Sequence, residues 1–457
     1  MSTEPAKKTQ TVTPRTLQGM RDFLPERMIL RQWLIGQLRS VFESFGFEPL
    51  DTPAVEYADT LKGKYGDEAD KLIYQFEDRG GRPVGLRYDL TVPLARVVAM
   101  YPDIPKPFKR YQIAPVWRAE RPQKGRYREF WQCDVDTIGT SSVLADAENL
   151  CVISTVLRRL GFSRYTIRLN NRKILTALAQ SLGLAGEDAL SLFRSLDKLD
   201  KIGFDGVRTE LNERGLNADI ADRVFSFVQT EGSNESILTH LRAQFGESAI
   251  AMEGIVELER IVSVLSESGV PDGTTKVDLS MIRGLDYYTG PIVETVVEEP
   301  KIGSISGGGR YDNLIGMFSG RATPATGVSV GLERIIDVID ELGLAPTSLR
   351  RTITEVLVTV FNEETLGQSL RLVAALREGG IKAEISLTGD RLQNQLRYAS
   401  RRNIPFVAIL GPEELAGDNV IVKNLTTGEQ QTLPIANFTA RIASLVSANA
   451  LIQETDS

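Results

Sequence analysis

One histidine, His240, and two cysteines, Cys133 and Cys151, are all that 457 residues contain. These counts exclude a Ser-His-Asp or Cys-His device unless His240 serves alone. They also exclude a multi-histidine or cysteine-rich zinc site and a disulfide framework, and they fit a reducing cytosol. His240 lies in the helical-looking run Ser236–Leu241 and reads as a surface or boundary residue. Long apolar stretches are missing as well. No run approaches the ~20 residues that span a bilayer, and the polar start, Met1 to Thr13, has no apolar signal-peptide core. Excess positive charge is also lacking: the net charge is -7, so any RNA contact must come from local basic clusters. No internal repeat or low-complexity tract is evident.

What is present is an ordinary globular composition, 42% hydrophobic and 25% charged, in a chain long enough for two or three domains. One stretch, Trp117 to Asp136, organises it. The stretch reads as strand, basic loop, strand, with Pro122 and Gly125 punctuating the loop. Beyond the loop, Phe130, Gln132, Asp134 and Asp136 share one strand face, and Trp131, Cys133 and Val135 share the other, because strand side chains alternate. The second face suits a core. The first carries an amide and carboxylates that cannot be buried without partners. With Arg118, Arg121, Lys124, Arg126 and Arg128 opposite, it reads either as a floor for a charged, planar ligand or as a solvated hairpin face.

Taken in order, residues 1–14 form a disordered tail. Apolar spacing from Ile29 to Phe45 gives a helix stopped by Gly46, packed on its own sheet or on a partner subunit. Short strands flank a turn at Asp78–Arg82, the second ending in Leu86–Thr91. A short helix covers Pro93–Met100, and a longer one Ala145–Leu160. From Lys173 to Ser268 helical patterns dominate, and strands return at Thr275–Ser280, Gly290–Glu298 and Thr326–Val330. This order predicts one mainly antiparallel sheet (15–172 and 269–345) interrupted by a helical insertion (173–268). Beyond Pro346, strand–helix–strand alternation with short links predicts a separate small α/β domain, 352–450, with a largely parallel sheet. The fold class is α+β.

Three further constellations bear chemistry. Ile282–Gly290 holds Arg283, Asp286 and the pair Tyr287-Tyr288, which also suits an ordinary core turn. Ser304–Asp312 holds Gly307-Gly308-Gly309, where a backbone can approach a ligand closely or turn sharply; the spacing is not that of the phosphate loops of nucleotide hydrolases or dehydrogenases. Gly327–Arg334 is a strand feeding a helix with an arginine in its first turn. Arginine stays charged and presents a planar fork matched to phosphate oxygens. If Arg118, Arg283 and Arg334 converge, they suit a triphosphate attacked at its α-phosphorus.

These motifs resemble the histidyl-tRNA synthetase family of class II aminoacyl-tRNA synthetases, over about Leu17 to Ser447. The helix and strand ending near Pro53, Arg118-Ala119-Glu120 and Gly331-Leu332-Glu333-Arg334 are similar to the three general class motifs. Arg283–Tyr288 and Ser306–Asp312 resemble the two histidine-specific signatures. The resemblance implies a class II antiparallel-sheet catalytic domain with a helical insertion and a C-terminal anticodon-binding domain, in a cytoplasmic homodimeric enzyme paired through the N-terminal helix. Its partners would be L-histidine, ATP with Mg2+, and tRNA(His), with no membrane involved and no metal-ligating residues.

It also implies residue roles. Arg118 would hold the α-phosphate and the amino-acid carboxylate. Glu120 would read the adenine amino group, between Phe130 on one ring face and Arg334 on the other. Arg334 would also meet the outer phosphates. Arg283 would stabilise the attacked α-phosphate. Asp89, Thr91 and Gln132 would hold the α-amino group; Asp136 and Tyr288, with Tyr287 beside them, the imidazole. Arg121 and Gln123 would reach the tRNA acceptor end. Asp89-Leu90-Thr91 and Asp136 resemble one branch of the family, Arg121–Gly125 the other. The alternative is an inactive paralogue regulating histidine biosynthesis, which typically lacks the C-terminal domain and key pocket arginines. The insertion reads as an RNA clamp or a spacer.

Overall fold

The computed structural model describes residues 12–64, 70–123, 125–216, 218–282 and 287–455. Most of the tail, Lys124 of the basic loop, and Arg283 to Asp286 lie outside them. The chain divides into two compact units: Met1–Asp22 with Ile35–Leu344, and Phe23–Leu34 with Ala345–Ser457. Among the described residues no helix is long and apolar enough to cross a membrane.

Helix α1 (Pro25–Ser44) precedes short strands β1 (Glu48–Pro49) and β2 (Val55–Tyr57) and helix α2 (Ala58–Leu61). Strands β3 (Gln75–Glu77) and β4 (Pro83–Leu86) form the hairpin around Asp78–Arg82. The second strand stops at Leu86, short of the expected Thr91, because Thr91 begins helix α3 (Thr91–Met100). Asp89 forces this change: its Oδ1 accepts the Thr91 and Val92 amides at 3.1 and 3.0 Å, capping the first turn.

Then come β5 (Phe108–Trp117), β6 (Glu129–Ile138), α4 (Leu144–Arg159) and β7 (Tyr165–Asn171). Helices α5 (Arg172–Ser181), α6 (Gly186–Leu196), α7 (Leu199–Glu213), α8 (Ala218–Val228), α9 (Asn234–Phe245) and α10 (Ala249–Glu267) follow, then β8 (Thr275–Val277), β9 (Pro291–Val297), β10 (Ser304–Arg310), α11 (Gly316–Ser319), β11 (Ala325–Gly331) and α12 (Leu332–Leu342). The exposed His240 sits on α9.

Eight strands make one sheet in the order β1-β5-β6-β11-β10-β9-β7-β8; β1 with β5 and β7 with β8 are parallel, and every other pair is antiparallel. The glycine run, which the sequence pattern assigns to no element, is the central strand β10. A Cβ on Gly308 would lie 2.1 Å from the Gly327 carbonyl oxygen, so glycine is what lets β10 and β11 come together there. Helix α4 covers one face over β6, β10 and β11. The buried Cys133 and Val135 lie among the core residues, opposite the polar row of β6. Arg310, 4% exposed, ties β10 to α4 through Asp146.

The second unit contains β12 (Val356–Val358), α13 (Glu363–Glu378), β13 (Ala383–Ile385), α14 (Leu392–Arg401), β14 (Phe406–Ile409), α15 (Pro412–Ala416), β15 (Asn419–Asn424), β16 (Gln430–Pro434) and α16 (Phe438–Thr455). Its sheet, β13-β12-β14-β15-β16, is half parallel rather than largely so, since the last two pairs are antiparallel. Apolar clusters lie on both faces, around Val356, Leu372 and Phe438 and around Leu357, Ala399 and Val407.

Candidate active site

The polar row of β6 floors two adjoining cavities. The smaller, about 190 Å³, is lined by Asp89, Thr91, Gln132, Asp136, Tyr287 and Tyr288, together with Asp134 and Tyr311. Strand register builds it. Arg110 on β5 and Gly327 on β11 both oppose Asp136, while Gln112 and Ser329 oppose Asp134. Arg110 is fully buried; its Nη2 lies 2.7 Å from Asp136 Oδ2 and donates to the Leu90 carbonyl at 3.2 Å. The Tyr311 hydroxyl donates to Asp136 Oδ1. Gly327 clears space for this carboxylate, because a Cβ there would lie 1.9 Å from Asp136 Oδ1.

Burial dominates the acidities. It pushes Asp134 up to about 7, with Arg110 pulling it down and Asp136 raising it further. It raises Asp136 too, against the Arg110 charge and the Tyr311 hydrogen bond. Burial carries Tyr288 up to about 12 and holds Tyr287 and Tyr311 well above the usual phenol range, so all three are neutral hydroxyls near pH 7. The two adjacent rings lie 4.6 Å apart at their centroids. Three buried acceptor atoms on the β6 face, Gln132 Oε1, Asp134 Oδ1 and Asp136 Oδ2, have no hydrogen-bond donor among the described residues. Asp136 Oδ2 keeps its ion pair with Arg110, but not in hydrogen-bonding alignment. A pocket so rich in unmet acceptors suits a small ligand carrying several N–H groups.

The larger cavity, about 320 Å³, is lined by Arg118, Glu120, Phe130 and Arg334, with Ser306, Gly307 and Glu333 among the rest. The Arg118 guanidinium stands 4.3 Å from the Tyr88 ring centroid and 5.0 Å from that of Phe130, and its Nε donates to the Tyr88 carbonyl at 3.2 Å. Arg334 donates from Nε to the Gly125 carbonyl at 3.1 Å and from Nη1 to the Ser304 carbonyl. Glu333 Oε2 accepts the Trp131 amide at 2.9 Å, pinning the start of α12 to β6. Glu120 lies 3.8 Å from Arg126. Planar cations beside an aromatic ring suit a purine nucleotide with its phosphates.

Arg118, Gln132, Gly307 and Ser329 line both cavities. Two ligands filling them would meet at Arg118. Arg121 and Gln123 line neither; they are exposed on the hairpin loop. Arg283 lies outside the described residues. Arg110, Asp134 and Tyr311 received no site role from sequence. Asp134 was legible on the polar face of β6, but the Arg110 and Tyr311 contacts depend on register across strands far apart in the chain.

In the second unit, Gln395 on α14 is 2% exposed and consumed internally. Its amide bonds the Val360 amide at 3.0 Å and the Val360 and Asp390 carbonyls at 2.7 Å. Arg391, Gln393, Asn394, Arg397, Arg401 and Arg402 are exposed.

A mainly antiparallel sheet carrying an arginine- and aromatic-lined cleft beside an acceptor-lined pocket, with Arg118 shared between them, fits the catalytic domain of an aminoacyl-tRNA ligase. Comparison with known proteins narrows the class. A histidyl-tRNA synthetase family profile matches residues 19–335, and an anticodon-binding-domain profile matches residues 355–445. The chain belongs to the histidyl-tRNA synthetase family. It is 44% identical to a histidine–tRNA ligase of Aeropyrum pernix over 95% of this chain and 98% of that one. It is 46% identical to one of Rhodopirellula baltica over 92% and 95%. A crystal structure of histidyl-tRNA synthetase from Nostoc sp. PCC 7120 superposes with TM-score 0.81 at 33% identity, covering 95% of this chain and all of that one.

Proposed function

We propose that this protein is a histidine–tRNA ligase working in two steps. The carboxylate of L-histidine attacks the α-phosphorus of ATP, forming histidyl-adenylate and expelling pyrophosphate. The terminal ribose hydroxyl of tRNA(His) then attacks the adenylate carbonyl and AMP leaves. The observation that carries the reading is the sharing of Arg118 between the two cavities. A carboxylate in the smaller and a triphosphate in the larger would meet at its fork, close enough for in-line displacement.

In this reading Arg118 holds the carboxylate and α-phosphate, and Arg283 offsets charge developing on that phosphate. Phe130 and Arg334 sandwich the adenine, whose amino group Glu120 reads. Asp89, Thr91 and Gln132 hold the ammonium, while Asp136, Tyr287 and Tyr288 surround the imidazole. His240 is exposed on α9, so the proton of the attacking ribose hydroxyl goes to an adenylate phosphate oxygen. Among the described residues no three carboxylate, histidine or cysteine side chains form a metal cluster. Mg2+ would be carried on the triphosphate oxygens and would neutralise phosphate charge there. Arg121 and Gln123, exposed on the hairpin loop, reach the acceptor end. The 173–268 helices clamp the tRNA, the 355–445 region reads the anticodon stem, and the enzyme is a cytoplasmic dimer through α1.

The inactive-paralogue alternative is disfavoured by the matched anticodon-binding region and by the pocket arginines. Histidine-dependent ATP–pyrophosphate exchange tests the function. Arg283→Ala should abolish most exchange with the fold intact, and unchanged exchange removes its role.

A further inference from the structure

Gln132 presents a problem of direction, because the two ends of its amide differ and only one can face the substrate. Its Nε2 donates to Ser329 Oγ at 2.9 Å, which leaves Oε1 buried and without a donor among the described residues. Having accepted from Gln132, the Ser329 hydroxyl has its proton to give elsewhere. Its cross-strand partner is Asp134, 3% exposed, whose carboxyl the neighbouring Ser329 hydroxyl makes more acidic, as a donor beside it does. Donation then runs one way, from Gln132 to Ser329 and from Ser329 towards Asp134. An ionised carboxylate can only accept, so the last member sets the direction of the other two.

We propose that Asp134 is a positioning residue for the ammonium group of the amino acid: through Ser329 it holds the Gln132 amide with its oxygen, not its nitrogen, facing the substrate. This rests on the reading of Gln132 as a ligand of that ammonium. Protonated Asp134 becomes a donor to Ser329 Oγ. The serine proton then turns to Gln132, the amide rotates, and an NH2 group faces an ammonium. Burial brings Asp134 into the working range, up to about 7. The charged and titratable groups facing it are Arg110, Arg87, Asp136 and Asp89, with the phenols Tyr288 and Tyr311, and the uncharged Gln112 opposes it on β5. The sign follows: the competent form is ionised Asp134, present above about pH 7, and it is lost as pH falls through that value.

The test measures KM for histidine, KM for ATP and kcat by pyrophosphate exchange between about pH 6 and about pH 8.5. Wild type and Asp134→Asn share the substrate's own ionisation, so their difference isolates Asp134. The wild-type KM for histidine should rise as pH falls through about 7. Asp134→Asn, whose amide can donate as readily as accept, should raise that KM about 5- to 10-fold at the upper pH and flatten the profile against wild type. Ser329→Ala should do the same and Ser329→Thr should restore it, and in Asp134→Asn, whose residue lines only the smaller cavity, KM for ATP should change less than about 2-fold. A wild-type profile in Asp134→Asn, or KM for ATP and for histidine rising together, overturns the inference. Absence of histidine-dependent exchange in the wild type overturns the functional reading itself.

Discussion

Gly327→Ala is the sharpest structural test of the imidazole pocket. The ideal Cβ at this position falls 1.9 Å from Asp136 Oδ1, 2.5 Å from its Cγ and 2.8 Å from the Val135 carbonyl oxygen. No side chain can occupy that space unless Asp136 turns away. Turning it breaks the contact with Arg110 at 2.7 Å and the hydrogen bond from Tyr311, and strands a guanidinium whose side chain is 0% exposed. Breaking one side of a buried ion pair costs about 3–5 kcal/mol, more than the ~1–3 kcal/mol of overpacking alone. That is a large share of a stability of about 5–15 kcal/mol. Urea denaturation followed by tryptophan fluorescence reads the loss, since Trp117 and Trp131 lie on β5 and β6. In an Asp136→Ala background the two nearest of these atoms are gone, the Val135 carbonyl remains, and the same glycine change should cost about 1 kcal/mol. A parent-like midpoint for Gly327→Ala, or an equal cost in both backgrounds, refutes the argument that Asp136 is the atom displaced.

The other expectations are simpler. Asp136→Asn should raise KM for histidine at least about 10-fold, the weight of a hydrogen bond to a charged group, and an unaltered KM would remove Asp136 from the imidazole site. Asn362 and Thr365 form a capping box at the start of α13, so Asn362→Ala should destabilise the second unit by about 1 kcal/mol, visible as faster amide exchange in α13. Gly36 is exposed inside α1 with nothing within 4 Å of an added Cβ, so Gly36→Ala should stabilise by about 0.5–1 kcal/mol in thermal melts; a lower melting temperature would mean that face is covered.

Much of this site was legible from the chain because strands alternate. Period two by itself separates Phe130, Gln132, Asp134 and Asp136 from Trp131, Cys133 and Val135, and the cavities lie against the first set. Arginines beside glycine and aromatic residues named Arg118 and Arg334, both of which line the larger cavity. Local rules erred where a side chain acted against its surroundings. Asp89 captured the amides of Thr91 and Val92 and turned an expected strand end into a helix start. Three successive glycines received no element because their reason to be a strand lies on β11. Helical position alone likewise does not show that Val360 claims the amide of Gln395.

The sequence by itself determined which residues alternate, where helices start and stop, and which family signatures are present, since these depend on neighbours a few positions apart. Only the tertiary structure decided that Arg110 neutralises Asp136, that Gly327 makes room for it, and that Ser329 of β11 stands beside both Gln132 and Asp134 of β6. Ser329 and Gln132 are separated by 197 positions, and Tyr311 and Asp136 by 175. Such pairings arise from strand register, which the whole sheet sets through the burial of its apolar face, so no local stretch encodes them.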